Sequence, residues 1–377
     1  MSDSPEKRCA HEVAILPYDI IFKILLLLPT NELLKLMLVC KLWHKLIKSP
    51  NFVEAHMSRC EAVLTFLEYF TEPHPNTFSI VTNNDQPTLF EPLSRKLQMC
   101  LLDFKDKNIK ISGLNISGFR DILATCHGLV LVKNEAKVLL VLNPTTRKLL
   151  PLKPGTIVRH SRDESYGFVF SHHTKEYKIV HIFRDKSNHI DSEILNVKNM
   201  SWKGCNVPSS GLFRDFDHKP VAASGVLYWL PQSHEVSYIV SMDINEEKFV
   251  RKDLPVNSSG LNDRLVENGG LLNFVAHMTV YRIQLWALKR DGYEDKWVKS
   301  FTVNMDYNIT DLVPVLMTKE SRRLIFMMFD DEQLYEYDIE DEEMEQVLVD
   351  RNIDFSAKIM FPHMNTLASW DNSGPLW

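Results

Sequence analysis

Two hydrophobic periods divide the chain. Between Val13 and Val39, 19 of 27 positions are apolar, and they recur at helical spacing: Leu16, Ile20, Ile24 and Leu28 form one i, i+4 row, and Ile21, Leu25 and Leu28 a second. Pro17 suits the first turn of a helix, where its missing N–H would go unpaired anyway, and Asp19 complements the helix dipole. Pro29 stops that helix, Thr30 is a candidate cap for the next, and Glu32 sits at its positive end. A third amphipathic piece carries Val39, Trp43, Leu46 and Ile47 on one side and Lys41, Lys45 and Lys48 on the other. Pro50 marks its end, and Phe52 falls in a short final turn. After about Arg59 the pattern shortens to β-rich runs separated by Pro, Gly, Asn and Asp.

Those runs repeat. A small residue or Gly precedes a short apolar strand, a second strand ends in Asn or Asp, a charged turn follows, and a third strand closes the unit. The instances span 126–152, 165–205, 223–255, 268–303 and 322–349. With Gly128, Gly167, Gly225, Gly270 and Arg323 as markers the steps are 39, 58, 45 and 53 residues. An uneven period near that length, with three to four strands per unit, predicts propeller blades. Residues 60–115 have room for a sixth blade, and closing the ring with strands from both chain ends would leave no open sheet edge. A β-sandwich or irregular barrel would use the same strand count. Gly269-Gly270 is a single kelch-like double glycine and Trp370-Asp371 a lone WD, so neither established propeller signature recurs.

Composition narrows the function classes. The 377 residues are 45% hydrophobic and 24% charged, the proportions of a globular protein of about two domains. The net charge of −6 gives no reason to expect nucleic acid. Ten carboxylates without a Lys or Arg lie in 329–345, which leaves the other 360 residues at +4; that run reads as a solvated blade turn, or as a steering patch for a basic partner. No run approaches the ~18–20 apolar residues of a membrane span, and the N-terminus lacks the apolar core of a signal peptide. Six cysteines (Cys9, Cys40, Cys60, Cys100, Cys126, Cys205) stand 20 to 79 residues apart with no C-x-x-C pair. They fit a reducing compartment, cytoplasm or nucleus, and neither a zinc site nor a disulfide framework. The sequons at Asn115, Asn199, Asn257 and Asn308 then read as chance.

Chemistry is sparse. None of the common nucleophile, metallopeptidase, dinucleotide or P-loop motifs occurs. Cys126-His127 are adjacent on a strand and should point to opposite faces; His172, His173 and Glu176 read as a turn between strands. Trp202, Tyr228, Trp229, Trp286 and Trp297 are expected at equivalent blade positions, as core markers. The expectation is no catalytic residue, no metal and no cofactor.

The helical segment carries more apolar surface than a unit of about 45 residues encloses alone, which leaves two readings: packing into the larger domain, or a face held for a partner. Here the residues resemble a known family. Leu16-Pro17, Asp19, Ile21, Ile24-Leu25, Leu28-Pro29, Leu33, Val39-Cys40-Lys41, Trp43, Leu46-Ile47, Pro50 and Phe52 together look like an F-box. Met37-Leu38 is greasier than the usual pattern. Downstream, Cys126-x-Gly128-Leu129, Asn143-Pro144-x-Thr146-x-Lys148, Tyr166-Gly167-Phe168, Tyr177-Lys178, Ser201-Trp202, Gly225, Tyr228-Trp229, Asp243, Glu247, Phe249 and Leu285-Trp286 resemble the plant F-box-associated domain of types 1 and 3, S-locus F-box proteins included. His127 and Met242 depart from it, where the family favours Asn and Phe.

The resemblance implies an α+β multidomain chain, a three-helix F-box followed by an all-β, propeller-like domain. The expected division is a flexible 1–11, F-box 12–58, propeller 60–365 and tail 366–377. It implies a non-catalytic substrate receptor of a Skp–cullin–F-box ubiquitin ligase, with no nucleic acid or membrane partner. Leu16, Pro17, Asp19, Ile20, Ile24, Leu25, Leu28, Pro29, Val39, Cys40 and Trp43 would face the Skp-type adaptor, and through it a cullin. The target protein is unknown; it is expected at loops 153–165, 205–219, 256–267 and 304–314, since variable loops on a rigid scaffold usually carry recognition. The alternatives are a non-degradative F-box scaffold, and a propeller enzyme or lectin with a helical docking segment.

Overall fold

The computed structural model describes residues 16–73, 79–83, 86–90, 93–104, 108–109, 111–115, 119–156, 164–187, 189–205, 219–231, 236–259, 262–291, 294–319, 322–349, 353–355 and 358–370. Among these, four short helices precede six four-stranded antiparallel sheets. The helices are α1 (Tyr18–Leu26), α2 (Thr30–Leu36), α3 (Lys41–Ile47) and α4 (Pro50–Met57). The fourth is one more than the three expected. Pro50 does not merely end α3: it opens α4, with Ser49 capping by accepting from the Phe52 N–H at 3.3 Å. Pro17 and Pro29 stand at the caps of α1 and α2, one position before the helices. Their carbonyls take the first helical N–H groups (Ile20 and Ile21, then Glu32 and Leu33). Thr30 is not the cap, because its hydroxyl is committed to the Asn365 carbonyl.

Five sheets are continuous in sequence. Blade 2 runs from Phe119 to Pro151, blade 3 from Glu164 to Gly204, blade 4 from Val221 to Ser258, blade 5 from Arg264 to Asn304 and blade 6 from Leu312 to Gln346. Blade 1 takes Ala62–Pro73, Leu93–Leu102 and Ile111–Asn115 from the N-terminal side and Phe361–Met364 from the C-terminal side, with Ala62 opposite Met364. The ring is therefore closed by both chain ends, as expected, and an open edge is avoided. Innermost strands touch from blade to blade around a channel of about 710 Å³. Six separate apolar cores fill the six blade–blade interfaces, and one further core, of Leu25, Leu33, Leu46, Ile47 and Phe52, lies inside the helical unit.

The repeat has a physical basis finer than the sequence reading. The third strand of four blades ends in Asn143, Asn196, Asp243 or Asp338, whose side chain accepts backbone N–H groups two and three residues on. Four residues after each stands a residue in the left-handed region: Arg147, Met200, Glu247 and Glu342. The side chain thus builds the turn that returns the fourth strand. The inner turn, between first and second strands, is marked by positive φ at Gly128, Lys175, Gly225, Gly270 and Arg322. The register read from sequence slipped once, since Gly167 lies inside the first strand of blade 3 and the equivalent turn residue is Lys175. With Lys175 in place of Gly167, and Arg322 in place of the neighbouring Arg323, the steps become 47, 50, 45 and 52, and the four units read without an innermost strand gain one.

The tryptophans are not all equivalent. Only Trp202 and Trp297 share a position, in the outermost strands of blades 3 and 5. Each indole N–H donates across the blade interface, to the carbonyls of Lys153 and Asp253, both at 2.9 Å. Residues 366–370 are not a free tail either. Thr366 and Ala368 are buried, and both of their carbonyls accept from the buried Asn143 amide, at 3.2 and 2.8 Å.

Candidate functional site

The helical unit separates its apolar residues into two sets. Leu25, Leu33, Leu46, Ile47 and Phe52 are shielded, with Ile21, Leu28 and Trp43 packed partly against them. The second α1 row therefore faces inward. The first row faces out: Leu16, Ile20 and Ile24 are 53%, 41% and 47% exposed, with Tyr18 and Leu27 beside them in sequence and likewise exposed. A second exposed group, Leu38, Val39 and Leu42, sits where α2 turns into α3. Side chains that could bury themselves and do not are the informative ones.

Of the residues expected to face a partner, Leu16, Pro17, Asp19, Ile20, Ile24, Pro29, Val39 and Cys40 are exposed. Leu28 and Trp43 are half-buried, and Leu25 lies in the core. Cys40 also has a local task, since its sulfur accepts from the Trp43 N–H at 3.5 Å and caps α3. Tyr18, Leu27, Leu38 and Leu42 complete the exposed set and were not singled out from sequence. Leu27 and Leu38 lie in runs greasy on every side, where periodicity does not say which member turns outward.

The unit is seated on the propeller. Leu367 packs against its core, Thr30 and Cys60 donate to the Asn365 carbonyl, and the Lys319 ammonium donates to the Ser58 carbonyl at 2.9 Å. Glu54 meets Lys175 at 3.8 Å, an exposed pair of small energetic consequence. Lys175 and Lys319 belong to inner turns of blades 3 and 6, so α4 covers the propeller face that carries those turns. Met57 and Ser58 line the channel mouth together with His127, Gly128, Gly225 and Gly270.

Cys126 and His127, which both line the channel, are not set up as a nucleophile and its base. Burial pushes the Cys126 thiol well above its usual range, and the His127 imidazole is lowered to about 4 by burial and by neighbouring His172. A thiol that holds its proton beside an imidazole that refuses one is the reverse of an activated pair. His172 and His173 are exposed on the blade 3 turn. Among the described residues no group of three or more His, Cys, Asp or Glu side chains is arranged to hold a metal ion, and no helix is long and apolar enough to cross a membrane. The loops 205–219 and 153–165 lie mostly outside the described residues. The 256–267 segment is largely strand, and 304–314 is a connection ending in blade 6.

Comparison with known families agrees with this division. Residues 14–54 match the F-box domain and 77–369 the F-box associated beta propeller domain. The second match spans most of the chain, which therefore belongs to the F-box-associated propeller family and carries an F-box ahead of it. Among its relatives in Arabidopsis thaliana, the F-box protein CPR1 is 22% identical over 92% of this chain and 88% of its own length. An F-box/LRR-repeat/kelch-repeat protein is 25% identical over 84% and 85%, respectively. An F-box/kelch-repeat protein is 27% identical over 65% of this chain and 61% of its own length.

Proposed function

We propose that the chain is the substrate receptor of a Skp–cullin–F-box ubiquitin ligase. The exposed apolar row on α1 docks the Skp-type adaptor, the adaptor reaches the cullin, and the propeller holds a target protein while ubiquitin transfer takes place on other subunits. The observation that carries this is the outward-facing Leu16–Ile20–Ile24 row on a helical unit that already has a closed core of its own. A segment needing burial only for stability would have turned that row inward.

Magnitudes support a stable complex. Eight apolar side chains of the unit stand between 41% and 86% exposed. Covering them is worth roughly 6–12 kcal/mol, taking about half of the full burial value for each, against association costs of roughly 4–15 kcal/mol. The reaction asks nothing covalent of this chain. Holding a target lysine near the ligase raises its effective concentration, and the seated interface through Leu367, Asn365 and Lys319 fixes the distance between adaptor and target. A role of the S-locus type is one form of this reading, decided by the target. Replacing Leu16-Pro17 with Ala-Ala should abolish pull-down of a Skp-type adaptor while the propeller keeps its melting temperature; unchanged pull-down would overturn the assignment.

A further inference from the structure

The propeller face away from the helical unit bears a patch that the adaptor reading does not use. Strands alternate direction, so if inner turns meet α4, the turns between second and third strands lie at the opposite end of each blade. On blade 5 that turn exposes Val280 and Tyr281, 43% and 52% accessible. The connection into blade 6 lies against it, with the Ile309 N–H donating to the Val280 carbonyl at 2.8 Å and that of Met305 to the Tyr281 carbonyl at 3.0 Å. This places Tyr307, 42% exposed, beside the turn. The corresponding turn of blade 6 exposes Phe329, whose N–H donates to the Asp311 carbonyl. Val280, Tyr281 and Tyr307 thus stand exposed along one stretch of this end, with Phe329 exposed at the channel that it lines.

The charge of these three segments is one-sided, and Lys358, which lines the channel with Phe329, is paired with Glu68 at 2.6 Å. Asp306, Asp330, Asp331 and Glu332 are exposed and Asp311 is half-buried. Across the three segments 278–282, 304–311 and 328–333 the single cationic side chain is Arg282, which donates to the Asn304 side chain at 2.9 Å. Aromatic residues are the side chains most enriched as anchors in protein interfaces, and a field of one sign selects partners of the other.

We propose that this blade 5–6 rim docks a basic segment of the target protein. Its apolar side chains would rest on Tyr281, Tyr307 and Phe329, and its Lys or Arg side chains would face Asp306, Asp330 and Glu332. The inference rests on the receptor reading and names the chemistry of the target that reading leaves open. Selection from a synthetic 12-residue peptide library on the full chain bound to its Skp-type adaptor provides the test. Selected peptides should combine Lys or Arg with an aromatic or aliphatic residue. Their affinity, read by fluorescence anisotropy, should fall at least about tenfold in Tyr281→Ala/Phe329→Ala and lose its salt dependence in Asp306→Asn/Asp330→Asn. Failure to select any peptide, selection of peptides without basic residues, or wild-type binding by both double variants would overturn the proposal. Adaptor binding and melting temperature are read on every variant. If wild-type chain does not bind the adaptor, the receptor reading itself fails; if adaptor binding persists while the peptide results go against the rim, only the rim assignment falls.

Discussion

His181 illustrates how a single buried side chain can organise a blade interface. Its ring is fully enclosed, stacked on Tyr166 at 4.3 Å, with Glu164 at 3.1 Å on one nitrogen and Glu193 at 2.9 Å on the other. Lys133 reaches Glu164 from blade 2 at 2.5 Å. Burial alone would raise the Glu164 pKa, but hydrogen bonds from His181, Lys133 and Tyr166 and the charge of Lys133 outweigh it and hold the pKa at about 2. A carboxylate depressed in the folded state stabilises above its unfolded pKa and loses that contribution as pH falls towards the folded value. Acid unfolding followed by circular dichroism should therefore show stability falling between roughly pH 5 and 2, with a shallower slope in Glu164→Gln. The helical unit gives a second test at this scale. Leu25→Ala should cost about 2–5 kcal/mol by leaving a cavity, whereas exposed Ile20→Ala should leave thermal stability within about 0.5 kcal/mol and weaken only adaptor binding.

At the scale of elements, Asn143 is the clearest case of a motif whose reason lies far away in sequence. Its side-chain oxygen accepts from Thr145 and Thr146 to form the blade 2 turn, and its amide donates to the Thr366 and Ala368 carbonyls that close the ring. Asn143→Ala leaves buried donors and acceptors unpaired, at about 1–3 kcal/mol each, and should lower the melting temperature by several degrees in calorimetry. Gly128 belongs to the same closure: its φ is +84°, and an added Cβ would stand 2.5 Å from the Met364 carbonyl oxygen. The Asn-Pro-x-Thr and inner-turn glycine patterns were legible in sequence because local turn chemistry repeats. Their partners at 364–368 were not, since no local pattern says which distant strand completes a blade. The same limit explains the helical unit. Its existence and the Leu16–Ile20–Ile24 row could be read directly, but the inward turn of Leu25 and the exposure of Leu38 follow from tertiary packing. Blade 3 misled for a related reason, because Gly167 looked like a turn glycine while its strand runs straight through it, so close to Leu227 that a Cβ would collide at 2.5 Å.

For the whole molecule, the consequence of the architecture is a fixed relation between the helical unit and the propeller. The helical unit covers one end of the channel, and Leu367, carried by the segment that closes the ring, packs against its core. Folding of the two parts should thus be coupled: Leu367→Asp is expected to split one cooperative thermal transition into two, with the earlier one following the helices in hydrogen exchange. The account rests most directly on the outward α1 row. Titration calorimetry of the full chain with a Skp-type adaptor, comparing wild type with Ile20→Ala/Ile24→Ala, addresses it. A loss of at least about a hundredfold in affinity, near 2.7 kcal/mol, with an unchanged melting temperature is the expected result. Equal affinities in the two proteins would contradict it.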